Sequence, residues 1–102
     1  MSEKAYELVE LAKKSGKISK GVNEATKAIE RGKAKIVIVA QDVSPKEIVM
    51  HLPLLAKDKG IKCVEVPSKE ELGVAAGMTI STAAVAVVNE GDAKAQLKEL
   101  SK

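Results

Sequence analysis

Residues 36 to 40 read Ile-Val-Ile-Val-Ala, an unbroken apolar run in which four of five residues are β-branched. Successive side chains of a strand point to opposite faces, so a run with no polar member stays extended only when both faces are covered. That is the reading of a central strand between two layers. Val85 to Val88 supplies another long strand, and Ile61 to Val66, with more polar members, one nearer an edge.

Helical patterns separate these runs. Residues 3 to 14 place Ala5 or Tyr6, Leu8, Val9, Leu11 and Ala12 at helical spacing, and Ser15-Gly16 stops them. A short extended piece, Lys17 to Lys20, leads into a second helix that Gly32 ends. After the turn Gln41-Asp42-Val43, the residues Ser44-Pro45-Lys46-Glu47 give a cap serine, a proline at the first helical position and a glutamate behind it. The spacing there predicts a helix that carries Ile48, Val49, Leu52, Leu54 and Leu55 inward, is bent at Pro53 and closes at Gly60. Ser68-Lys69-Glu70-Glu71 reads as a capping box opening a helix through Ala76, which Gly77 ends. Asp92 is expected to cap a last helix with Ala93, Leu97 and Leu100. Alternating helices and strands predict an α/β fold, a three-layer α/β/α sandwich around a small mixed sheet. At 102 residues the chain is one domain, 1–102.

Chemistry concentrates in one place, Gly21 to Gly32, reading GVNEATKAIERG. Asn23 is a suitable N-cap. Glu24, Lys27 and Arg31 recur at three- and four-residue spacing and share one face, with Val22, Thr26 and Ile29 roughly on another. Gly21 lets a partner approach the backbone, and a helix N-terminus adds N–H donors and partial positive charge. The combination suits an anionic, hydrogen-bonding surface such as folded nucleic acid, although a capped amphipathic helix with a solvated Glu24/Lys27 pair needs no function at all. Charge favours the former. Residues 13 to 35 hold eight basic residues (Lys13, Lys14, Lys17, Lys20, Lys27, Arg31, Lys33, Lys35) against Glu24 and Glu30, a balance of +6, whereas the whole chain carries +3. Tyr6 is the sole aromatic residue, so no base-stacking platform is available. Met78-Thr79-Ile80-Ser81-Thr82 is a loop with apolar members; Met78 and Ile80 either tuck under the sheet or clamp a partner.

Enzyme chemistry is thinly provided for. His51 and Cys63 are single, a zinc set is out of reach, and Cys63, with Val64 and Val66 beside it, reads as a buried strand thiol. Asp42 follows the Ile36 strand, a usual ligand position in open α/β sheets, but has no glycine-rich phosphate loop beside it. No cofactor is expected. The lone cysteine and the lack of an apolar run of membrane-span length predict a cytoplasmic protein without a membrane partner.

The segments GVNEATKAIERGKAKIVIVAQD, SPKEIVMHLPLLAKDKGI, VPSKEELGVAAG and AVAVV, taken in order, resemble the archaeal L-seven-Ae family of ribosomal, kink-turn RNA-binding proteins. The resemblance implies a protein of the large ribosomal subunit that also binds box C/D and H/ACA guide RNAs and is associated with ribonuclease P RNA. It implies that Gly21, Asn23, Glu24 and Lys27 meet the tandem sheared G·A pairs, and that Ile48, Lys69 and the loop Met78, Thr79, Ile80 and Ser81 lie near the RNA. Lys20, Arg31, Lys33 and Lys35 are expected to contact or steer phosphates, on the charge argument. Gln41 and Ser44 stand where relatives often carry acidic residues, Ala56 where many have cysteine, and the chain begins almost at its first helix. These departures leave two expectations open: the main ribosomal and guide-particle protein, a monomer when free, or a shorter paralogue acting mainly as a protein-interaction module through its HLPLL helix.

Overall fold

The computed structural model describes residues 2–43 and 47–101, with side chains from 3 to 43 and from 50 to 101. The Ile36 run becomes β2 (Ile36–Ala40), buried along its whole length and lying inside a four-stranded sheet. Its neighbours are β3 (Lys62–Val66), parallel to it, and β4 (Ala84–Asn89), antiparallel. The piece expected merely to be extended is β1 (Lys17–Lys20), which pairs antiparallel with the outer side of β4 and gives the order β1-β4-β2-β3. The sheet is therefore mixed, and β3 lies at an edge as its polar members predict.

Two helical layers cover it. α2 (Val22–Glu30) packs on β4 and β1, and α3 (Glu47–Asp58) on β2, β3 and α2. α1 (Ser2–Ser15) packs on β1, β3 and β4 together with α4 (Lys69–Ala75) and α5 (Lys94–Leu100). The expected α/β/α sandwich is the one observed. Aliphatic side chains fill both interfaces, Leu8, Ile29, Ile36, Ile38, Leu52 and Leu72 among the largest that are fully buried.

Several local expectations are corrected. Asn23 does not cap α2. The residue at that position is Gly21, with φ 93°, whose carbonyl accepts the first helical bond from Ala25 N–H at 2.9 Å. The chain leaves β1 with the Gly21 N–H bound to the Ala84 carbonyl at 2.8 Å, so the helix is capped two residues before Asn23 and begins at Val22. Nor does Asp92 cap α5, whose N-cap is Ala93; the Asp92 N–H instead donates to Ser15 Oγ at 2.8 Å.

Half of the predicted capping box is present at α4. Glu71 N–H donates to Ser68 Oγ at 3.2 Å, but the Ser68 N–H goes to Tyr6 Oη at 3.1 Å. In α3 the buried stripe is Leu52 and Ala56, one turn apart, and Leu54 points to solvent with 72% exposure. Two residues along a helix is a rotation of about 200°, which carries Leu54 away from Leu52. The helix runs on through Pro53. The expected cap at Ser44 to Lys46 and the inward direction of Ile48 and Val49 lie outside the described residues and side chains.

Candidate functional site

Strand register decides what meets at each end of the sheet. Lys20 pairs with Val85, and Val39 with Ala84, so Gly21, the carboxyl end of β2 and the chain entering β4 all reach the same edge. One acceptor fastens Gly21 to the chain entering β4: the Ala84 carbonyl receives the Gly21 N–H at 2.8 Å and the hydroxyl of buried Thr82 at 3.1 Å, while Ala40 N–H at the end of β2 donates to the Ala83 carbonyl at 2.9 Å. A carbonyl oxygen has two lone pairs, and both are used at Ala84. Thr82 N–H in turn donates to the Lys69 carbonyl at 3.2 Å, and Lys69 N–H to Asp42 Oδ1 at 2.9 Å. Asp42 thus orders the start of α4, which accounts for its place at the end of β2 without a ligand.

At this edge the opening turn of α2 stands free. Asn23, Glu24 and Lys27 are exposed, and no side chain caps the helix, so Gly21 leaves first-turn donors facing outward. Glu24 Oε1 and Lys27 Nζ are 3.6 Å apart, each more than half exposed. A cleft of about 640 Å³ is lined by Lys20, Gly21, Asn23, Glu24 and, from α3, His51. The His51 ring is held by its Nε2 at 3.1 Å from Thr26 Oγ1. Since that hydroxyl donates to the Val22 carbonyl at 2.7 Å, Nε2 carries the proton, and the histidine is a surface residue bracing α3 against α2.

The apolar loop runs back along α4. Met78 N–H donates to the Gly73 carbonyl at 2.9 Å, and Met78 is half-buried against the core. Ile80 is not tucked away: it is 69% exposed, with Thr79 and Ser81 exposed on either side. Together with Val74, 75% exposed, they line a cleft of about 480 Å³. Val74 escaped the sequence reading, although its position beside buried Leu72, Gly73 and Ala75 on a seven-residue helix marks it as the outward apolar residue. Thr82 left no sequence signal, because a threonine in a loop is unremarkable until its acceptor is known.

The remaining cations divide. Lys20, Lys27, Arg31 and Lys33 line a second cleft between β1 and α2, joined by Lys17. Lys35 is elsewhere, with Nζ at 3.1 Å from Glu90 Oε1. Glu90 is held below the usual carboxylate range by its own backbone N–H first and then by Lys35. Lys13 and Lys14 sit on α1 in the opposite layer, Lys14 paired with Glu10 at 3.6 Å. The Ile48 side chain lies outside those described, and Lys69 is half-buried at the start of α4. Cys63 is half-buried on β3, and its thiol is pushed up to about 11 by burial and by neighbouring Glu65. Among the described residues no group of His, Cys, Asp or Glu is placed to hold a metal ion.

Residues 3–97 match the family described as ribosomal protein L7Ae/L30e/S12e/Gadd45. The chain belongs to that family. Large ribosomal subunit proteins eL8 from two strains of Halobacterium salinarum are 54% identical to it over 101 residues, covering 99% of this chain and 84% of theirs. Among solved structures, the Giardia lamblia 15.5kD RNA binding protein superposes with a TM-score of 0.84 at 36% identity, over 99% of this chain and 87% of that one. The resemblance noted in the sequence is thereby established. This membership places the L7Ae-type chain among ribosomal proteins and not among enzymes. The structural neighbour shares the fold described above.

Proposed function

We propose that the protein binds kink-turn RNA, as a component of the large ribosomal subunit and as a core protein of box C/D and H/ACA guide particles, with ribonuclease P RNA a further target. The observation that carries this reading is the shared Ala84 carbonyl, which holds the free mouth of α2 and the exposed Ile80 loop on one edge of the sheet. A partner seated there meets directional polar groups on one side and an aliphatic surface on the other. The relatives are named as large-subunit ribosomal and RNA-binding proteins, which agrees with this chemistry.

In this reading Gly21 admits the RNA backbone, while Asn23 and Lys27 donate to acceptors on guanine edges. Glu24 accepts from base amino or imino groups at the sheared G·A pairs. Met78, Thr79, Ile80 and Ser81 approach an extruded nucleotide without an aromatic ring, and Ile48 and Lys69 belong to positions near the bound RNA. Lys20, Arg31 and Lys33 meet phosphates; Lys35, already paired with Glu90, adds least. Bending RNA crowds its phosphates, and a site matched to the bend shifts the population towards it by differential affinity alone. The protein acts in the cytoplasm and is monomeric before it meets RNA.

The test is a gel shift with a kink-turn RNA and with the same RNA carrying Watson–Crick pairs in place of its G·A pairs. The first is expected to bind far more tightly, and equal affinities would remove the specific claim. A second reading, a module that docks another protein of the particle, is favoured by Met50 and Leu54, 61% and 72% exposed on α3. A protein partner that stays bound after nuclease digestion would make it an independent role.

A further inference from the structure

The cleft between β1 and α2 holds about 420 Å³ and is bordered by Lys17, Lys20, Lys27, Arg31 and Lys33, with Glu24 the one acidic residue among its lining, over a floor that includes Ile18. All five cations are exposed, and only Lys27 has an acid beside it. Among the described residues no carboxylate pairs with Lys17, Lys20, Arg31 or Lys33. Like charges held together this way on a packed strand and helix repel one another, and a row of phosphates relieves that repulsion. The row follows α2, whose nine residues span roughly 14 Å. At one end it is continuous with the α2 mouth, because Lys20 lines both clefts. No aromatic residue borders it, so unpaired bases would find nothing to stack on, whereas a duplex needs only backbone contacts.

We propose that this cleft is a second RNA surface that takes the phosphate backbone of the duplex stem leaving the kink-turn, extending the footprint past the bent element. The proposal rests on the kink-turn reading for where the stem begins; the cleft's charge and shape do not depend on it. Lys17, on β1 at the sheet end away from Gly21, is its distal contact.

The experiment measures affinity against salt for the full chain with a short-stem kink-turn RNA, the same RNA with an extended stem, and a plain RNA duplex. The extended stem is expected to bind more tightly and to fall more steeply with salt. Lys17→Gln lowers that steeper slope by about one and leaves the short-stem slope in place. Lys17→Glu removes most of the gain from the longer stem and stops the plain duplex from competing. Equal affinity of the unaltered protein for short and long stems overturns the proposal, as does an equal loss on both RNAs in the Lys17 variants. An oligoglutamate that displaces the extended RNA as well as the duplex does at equal charge also overturns it, in favour of an acidic protein partner. Loss of discrimination against the Watson–Crick variant would sink the kink-turn reading alone, because the plain-duplex competition reports on the cleft by itself.

Discussion

On the proposed function, Glu24 and Lys27 form a pair that matters for recognition and hardly at all for folding. Exposed as both are, their ion pair at 3.6 Å contributes about 0 to 1 kcal/mol to stability. Substituting either by Ala is therefore expected to leave the urea midpoint almost unchanged, while costing about 1 to 3 kcal/mol of kink-turn affinity and flattening discrimination against Watson–Crick pairs. Parallel loss of stability and affinity would mean the pair is structural. Glu90 is the opposite case. Its carboxylate sits below the ordinary value of 4.5, so its stabilising contribution is complete above that pH and is lost as pH falls through the lower folded value. Glu90→Gln is expected to flatten the acid limb of a stability profile below about pH 4.5, with RNA recognition intact. At this scale the sequence identified the exposed side chains of α2 from their spacing, but not that Asn23 is spared a capping role. That depended on where β1 releases the chain.

α4 and the strand-bound segment after it form one unit. A β-carbon at Gly73 would collide with the Ile80 carbonyl oxygen and lie 3.0 Å from Ser81 Cα, so the glycine is what lets 78–82 run flat against the helix. Gly73→Ala gains about 1 kcal/mol of helix propensity and loses about 1 to 3 kcal/mol to the clash. A net loss of stability is expected in urea titration, with weaker kink-turn binding as Ile80 is pushed off its position. Weakened folding with unchanged RNA affinity would show that the loop does not grip the RNA. Helix starts and stops were readable in the sequence wherever a glycine or serine acts locally, as at Gly60 and Ser68. The outward turn of Leu54 was not, because Leu52, Leu54 and Leu55 look equally apolar until the sheet picks a face.

Taken whole, the molecule redistributes its charge. The +6 balance of residues 13 to 35 is spread over both layers, with Lys13 and Lys14 on α1, Lys35 neutralised by Glu90 and the rest gathered beside α2. Linear charge counts overstate a face because sequence neighbours part company where a strand separates two helices. Binding to the native state alone also stabilises the whole fold. On the proposed function, kink-turn RNA at about 100 times its Kd is expected to add about 2.7 kcal/mol and so raise Tm on the order of 10 °C for a domain of this size. The Watson–Crick variant at the same concentration is expected to give a much smaller shift in a thermal melt. Equal shifts would show that charge, not shape, drives the association.

Periodicity and β-branching determined the α/β sandwich, the buried β2 and the chemistry-bearing face of α2, because burial on one face or two is written directly into the order of apolar residues. Tertiary structure alone decided that β1 joins the sheet beside β4, that Thr82 and Gly21 share the Ala84 carbonyl, and that the basic residues divide between layers. Those outcomes rest on register between strands more than sixty residues apart, and a hydrogen bond across that separation leaves no trace in local composition.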